Sequence, residues 1–177
     1  MTSIIKVNEI QDAGGNTILS SNGTGTFTSN LPSAVNTPAF HARLSVEPSI
    51  ANNTTTKLQF TEEVLDTNNC YDNASNYRFT PTTAGKYFIY SGVSGVTADQ
   101  QQLTLDIYVN GSRRIFHRGR GSGSSNMSVF TSGIIPFNGT TDYAEVYLTH
   151  EFGSSTIALA ASGIDFSFFG GYKIIGA

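Results

Sequence analysis

The sequence predicts an all-β protein: a β-sandwich or jelly roll of about ten antiparallel strands. Three observations lead there. Ser, Thr, Asn and Gly fill 73 of the 177 positions, while charged residues make up only 13%. Those are poor helix formers and good turn formers. Short runs of alternating apolar and polar residues lie between turn clusters, and no 3.6-residue period is sustained. Eight Tyr and twelve Phe supply apolar surface for a packed core at a net charge of only −3, which argues against disorder.

Residues 1–37 stand apart. Ile4, Ile5, Val7 and Ile10 fall in a predicted short strand over 4–10. Gly14-Gly15-Asn16 reads as a turn, and 17–20 as a second short strand. The Gly-rich stretch 22–25 and Phe27 follow. So small a segment holds no core of its own, and its apolar residues need a partner surface. It reads as an anchor or an intertwined stalk. Residues 31–38 read as a linker to a head domain over 38–177.

The predicted strands of the head are 39–46, 56–60, 76–80, 85–93, 102–110, 112–118, 125–137, 143–149, 156–161 and 164–175. Asn110-Gly111 marks a hairpin, because a type I′ turn needs positive φ at both central residues. Asn138-Gly139 reads as a second such turn. Gly85 permits a tight entry into its strand. There, Tyr87, Ile89 and Val93 alternate with Phe88 and Tyr90, so both faces are apolar and both are predicted buried.

The same reading excludes several functions. A pI near 5.5 argues against a nucleic-acid binder. No stretch reaches the ~18 apolar residues of a membrane span. The N-terminal region turns polar by residue 8, so no signal peptide is expected. The single Cys70 makes no intrachain disulfide, which fits synthesis in a reducing cytoplasm. Asn-x-Ser/Thr triplets at Asn22, Asn52, Asn53, Asn73, Asn126 and Asn138 are chance products of composition, and glycosylation is not expected.

No enzyme is expected. Gly92-Val93-Ser94-Gly95 misses the nucleophile-elbow spacing. Gly119-Arg120-Gly121-Ser122-Gly123 lacks the Lys-Ser/Thr of a phosphate loop. His41, His117 and His150 have no metal-ligand spacing. Glu62, Glu63 and Asp66 are expected to be solvated on a turn between strands. No cofactor is expected either. Asp66, Asn68 and Asp72 offer oxygen atoms that would suit calcium, against the simpler reading of an Asx-rich turn.

The most unusual local feature is 113–120, Arg-Arg-Ile-Phe-His-Arg-Gly-Arg. It holds four of the ten Lys and Arg residues of an acidic chain. On a strand, Arg114, Phe116 and Arg118 would share one face, and Arg113, Ile115 and His117 the other. Arg113, Arg114, Arg118 and Arg120 are the candidate receptor-binding residues, for phosphorylated or acidic sugars. The competing reading is pairing with carboxylates, or protection of an edge strand.

Residues 38–177 resemble the globular head of complement component 1q, within the wider tumour-necrosis-factor-like jelly rolls. Pro38-Ala39-Phe40-His41-Ala42-Arg43 is similar to the family's opening. Residues 57–60, Lys-Leu-Gln-Phe, resemble its next Phe-bearing strand. Tyr77-Arg78-Phe79-Thr80-Pro81, followed by Gly85-Lys86-Tyr87-Phe88-Ile89-Tyr90, resembles its core motif, with Ile89 where the family usually has Phe. Residues 105–111 are similar to its central hairpin. Phe166-Ser167-Phe168-Phe169-Gly170-Gly171-Tyr172-Lys173-Ile174-Ile175 is similar to its closing strand. The family's Leu-x-x-Gly-Asp segment is matched only loosely, by 137–142. The resemblance implies a homotrimer around an axis lined by aromatic residues. Some of Tyr77, Phe79, Tyr87, Phe168 and Tyr172 are then interface rather than core.

The opening segment, Ile4-x-Lys6-Val7-x-x-Ile10 and then Gly14-Gly15-Asn16-x-Ile18-Leu19-Ser20-Ser21, resembles bacteriophage tail-fibre and virion-appendage proteins. That resemblance implies a virion structural protein, assembled in the cytoplasm of a host bacterium. Ile4, Ile5, Val7 and Ile10 would anchor it to other virion proteins, tail or capsid. The trimeric head would be a short tail fibre or adhesin that contacts a host surface glycan or protein non-covalently. A capsid decoration or head fibre is the alternative. A bacterial surface glycan-binding head is a further one, and it would call for a collagen-like stalk or a secretion signal. A capsule depolymerase would need paired carboxylates in a defined site.

Overall fold

Turn residues cut this chain into short strands, and the strand faces then sort by polarity. The computed structural model describes residues 7–29, 36–97, 100–122, 125–153, 157–160 and 166–175, and there is no helix among them. The chain divides into two compact units, 1–35 and 36–177.

The first unit is an antiparallel meander of β1 (Glu9–Gln11), β2 (Thr17–Ser21) and β3 (Phe27–Ser29), in that order. Asp12 shapes its first turn: its Oδ1 accepts from the backbone N–H of Gly14 (2.8 Å) and of Asn16 (2.9 Å). Asn22 does the same in the second turn, accepting from Thr24 N–H at 2.9 Å. β3 was not predicted. Ile4 and Ile5 lie outside the described residues, whereas Val7 and Ile10 are exposed.

The second unit contains β4 (Ala39–Arg43), β5 (Ser49–Ile50), β6 (Thr54–Lys57), β7 (Glu62–Asp66), β8 (Tyr71–Asp72), β9 (Arg78–Phe79) and β10 (Gly85–Thr97). It continues with β11 (Gln102–Val109), β12 (Ser112–Arg120), β13 (Ser125–Phe137), β14 (Ala144–Glu151), β15 (Ile157–Ala158) and β16 (Phe168–Lys173). Two five-stranded antiparallel sheets, β13-β10-β16-β4-β7 and β12-β11-β14-β9-β8, form the two layers of a jelly roll. A small β15-β5 pair lies at the side.

Local expectations fared unevenly. Asn110 (φ 52°) and Gly111 (φ 75°) make the tight hairpin between β11 and β12. Asn138-Gly139 does not make a hairpin, because β13 and β14 belong to different sheets. Its loop crosses between layers, with Asn138 Oδ1 accepting from the N–H of Thr140, Thr141 and Asp142. The segment 62–66 is an edge strand rather than a turn, and Glu62 is paired to Arg43 of β4 at 2.5 Å. The calcium reading also gives way to turn chemistry. Asp66 accepts from the N–H of Cys70 and Tyr71, and Asp72 from those of Ala74, Ser75 and Asn76. Among the described residues no three His, Cys, Asp or Glu side chains converge on a metal position.

The core is unusually aromatic. Phe40 stacks on Phe79 (4.2 Å) and Tyr71 (5.1 Å), and Phe169 meets Phe40 edge-on at 4.8 Å. Tyr87 meets Phe137 at 5.4 Å and 90°. Edge-on and offset pairs of this kind add to the gain from burial. The polar ends are satisfied: Tyr71 OH donates to Phe60 O (3.0 Å), and Tyr87 OH to Thr83 O (2.6 Å). Burial pushes the Tyr87 phenol up to about 12. Phe79 and Tyr87 are wholly buried between the sheets. That overturns the expectation that they belong to a subunit interface, because their own chain already covers them.

Two measurements check this account. Phe169→Ala should lower the unfolding free energy by ~3–5 kcal/mol in urea, the usual range for removing a core phenylalanine. Asp72→Asn tests the turn. Four donors from three residues, Ser75 N–H first, hold the Asp72 carboxyl well below its ordinary range. A depressed folded pKa gives stability that is complete above pH ~4 and fades as pH falls through the folded value. The Tm deficit of Asp72→Asn should therefore be largest near neutral pH and shrink below pH ~4.

Candidate subunit interface and the arginine strand

Strand β10 alternates strictly. Tyr87, Ile89 and Val93 point into the core, and Phe88 and Tyr90 point away from it. The register then fixes the neighbours. Phe88 lies opposite Tyr172 on β16 and Ile134 on β13. Tyr90 lies opposite Gly170, and Gly92 lies opposite both Phe168 and Phe130. All these side chains share the outer face of one sheet.

That face is a continuous aromatic strip. Phe88 is 5.7 Å from Tyr172 and 6.0 Å from Tyr90; Phe168 is 6.1 Å from Tyr90 and 6.2 Å from Phe130. His41 of β4 stacks on Phe168 at 5.7 Å, and its Nδ1 is 3.1 Å from the Tyr90 hydroxyl. Two glycines let the rings lie down on the sheet. A Cβ at Gly170 would stand 2.4 Å from the Tyr90 ring, and one at Gly92 would stand 2.7 Å from Phe168. The result is flat and apolar, and its own chain leaves it open: Phe130 is 51% exposed and Ile134 62%. Across β13, β10 and β16, Lys86 is the only charged side chain pointing outward among the described residues.

The prediction that β10 is buried on both faces is thus half met within one chain. Of the expected interface residues, Phe168 and Tyr172 lie on this open face. Tyr77 does not: it precedes β9 in the other sheet, half-buried, at φ 48°. Phe88, Tyr90, Phe130, Ile134 and His41 were missed as candidates. For Phe88 and Tyr90 the double-sided alternation was visible, but it did not say which face the sandwich would cover.

The arginine segment is β12, an edge strand of the second sheet. A bulge pairs Ile107 with Ile115 but Tyr108 with Arg113, leaving Arg114 without a partner in the register. The bulge overturns the simple alternation: Arg113 joins Phe116 and Arg118 on the outer face. Arg113 is held there. Its Nε lies 2.9 Å from Asp106 Oδ1, and its Nη2 donates to Oδ2 at 2.9 Å. Asp106 is wholly buried, which pushes its carboxyl above the ordinary range although Arg113 pulls the other way. Arg118 Nε donates to Thr104 Oγ1 at 3.2 Å. The guanidinium groups of Arg113 and Arg118 lie 5.5 and 6.0 Å from the Phe116 ring centroid. Arg120 lies over Phe152 instead, at 4.9 Å. The four arginines therefore do not converge on one anion position. Arg113 secures the sheet, and Arg118 and Phe116 remain as an exposed cation–aromatic pair.

No protein-family model and no curated protein sequence matches the chain. Solved structures do. The globular domain of zebrafish complement 1qA matches 77% of this chain and 97% of its own, with TM-score 0.56 and 15% identity. Murine APRIL matches 76% and 97%, with TM-score 0.53 and 16% identity. Eiger TNF from S. frugiperda matches 78% and 93%, with TM-score 0.56 and 11% identity. At such identities the likeness is one of fold, and the chain carries a complement 1q and TNF-like jelly roll.

Removing one partner of a buried charge pair leaves the other uncompensated. Arg113→Ala should therefore cost at least ~2 kcal/mol in urea unfolding, whereas Arg114→Ala, at the bulge, should stay within ~0.5 kcal/mol of the parent.

Proposed function

We propose that this chain is a homotrimeric, non-enzymatic attachment protein, and more narrowly a short bacteriophage virion fibre whose head contacts the host surface. The observation that carries the reading is the open aromatic face of β13, β10 and β16. Monomeric soluble proteins rarely expose so continuous an apolar patch, and such patches mark interfaces. Three copies packed about an axis would each bury Phe88, Tyr90, Phe130, Phe168 and Tyr172 against one another. The near absence of charge on the face suits a permanent interface, whose centre is depleted of charge and enriched in aromatics.

The trimer would also supply the function. Three identical sites on one rigid head multiply weak contacts through effective concentration, by 10²–10⁴ in favourable geometries. Recognition would fall to the surfaces left outside the axis, and β12 with Phe116, Arg118 and Arg120 is one of them. The phage reading is supported by the opening motif over residues 4–21 and by the use of a single buried cysteine. Residues 1–37 would attach the trimer to other virion proteins.

Phe168→Glu sets a carboxylate in the middle of the proposed axis. Sedimentation velocity should report a trimer for the parent and a folded monomer for the variant. Retention on host cells should fall on the order of 100-fold with the loss of avidity. A variant that stays trimeric would contradict the assignment of the face. Antibody labelling of intact particles should decorate the tail, and labelling confined to the shell would move the protein to a capsid fibre.

A further inference from the structure

The N-terminal meander has a face that its own three strands leave uncovered. Ile10 lies opposite Leu19, and Ser21, next on the same side, lies opposite Phe27. Ile10, Leu19 and Phe27 therefore share one face of the sheet, and with Val7 they line a shallow cleft of about 160 Å³. Phe27 is 70% exposed. A meander of about two dozen residues buries too little apolar surface to be stable alone, and below ~40 residues a disulfide, a metal or association with other chains usually supplies the rest.

The chemistry of the segment narrows what that layer is. Residues 7–29 carry only two charged side chains, and both are engaged locally. Glu9 accepts from Gln11 Nε2 and Thr17 Oγ1, and Asp12 is occupied by Gly14 and Asn16. Glu9 pairs with Ser20 on the other face, so Ile10, Leu19 and Phe27 present no charge of their own to an oppositely charged partner. The covalent tether points the same way. Nine residues lie between Ser29 of β3 and Ala39 of β4, and the ten Cα steps reach at most ~35 Å when fully extended. β4 belongs to the sheet that bears the aromatic face. Three heads joined through that face would hold three meanders at effective concentrations on the order of millimolar. Neutral apolar faces at that concentration bury one another.

We infer that the partner of this face is the same face of the other two chains: Ile10, Leu19 and Phe27 from three copies close a common core and make a three-walled β stalk. The inference rests on the trimer proposed above. It also changes what is available to the virion. The surface left for attachment is the opposite one, which carries Glu9, Ile18, Ser20 and Thr28.

Amide hydrogen exchange on the full chain, read by mass spectrometry, tests this with three proteins: the parent, Phe27→Ser and Phe168→Glu. In the trimeric parent, exchange over 9–21 should be slowed by about 100-fold or more relative to the monomeric Phe168→Glu chain. Phe27→Ser should lose that protection while its mass in sedimentation remains that of a trimer. A trimeric parent whose meander exchanges freely would overturn the stalk and leave the head trimer standing. Protection that survives in monomeric Phe168→Glu would overturn it too, because one chain would then cover its own face. A monomeric parent would instead remove the trimer on which the inference rests.

Discussion

One strand sets the terms for the rest of the molecule. β10 bears large apolar side chains on both faces, and one chain provides a layer for only one of them. Tyr87, Ile89 and Val93 meet the second sheet and nucleate a core of stacked and edge-on rings around Phe40, Phe79 and Phe169. Phe88 and Tyr90 meet no second layer. The neighbouring strands extend this condition instead of relieving it. β13 adds Phe130 and Ile134, and β16 adds Phe168 and Tyr172, in register with them. Gly92 and Gly170 give the rings room to lie flat. A sheet arranged in this way is half of an interface, as apolar outside as inside.

The second sheet has the opposite character. Its outer face is polar, and its polar groups are matched: Asp106 with Arg113, Thr104 with Arg118, Gln102 with Glu151. Its edge, β12, is the most cationic stretch of the chain. Charge on an edge strand discourages pairing with another molecule's edge. Charged residues are scarce overall, and the division between sheets gives that scarcity a shape. They gather where the domain meets water and are nearly absent where it meets, on this account, its own copies.

Much of the architecture was legible in the sequence because it is written in local periodicity. β13 was predicted at its observed bounds, since thirteen residues of alternation leave little freedom. β5 and β8, two residues each, are too short to have a period. β7 was missed because Glu62, Glu63 and Asp66 look like a solvated turn until Arg43 is placed beside Glu62. The two Asn-Gly pairs show the limit of local reading. Asn110-Gly111 joins partners in one sheet and Asn138-Gly139 joins strands of two sheets, a difference that no dipeptide contains. The site was half legible for the same reason. Alternation revealed that β10 is apolar on both sides, but which side the sandwich covers depends on the sheet that β11 forms with β14, nearly fifty residues beyond the end of β10. The bulge that turns Arg113 toward Asp106 is likewise a matter of pairing, not of composition.

Hydroxyl-radical footprinting of the chain in solution tests the central claim most directly. Phe130 and Phe116 are the same residue type and nearly equally exposed on a single chain, 51% and 54%. They differ in the face they occupy. If the sheet of β10 is buried between copies, Phe130 is labelled far more slowly than Phe116, and Tyr172 and Phe168 are protected with it. Equal labelling of Phe130 and Phe116 would show the aromatic face open to water and would contradict the account.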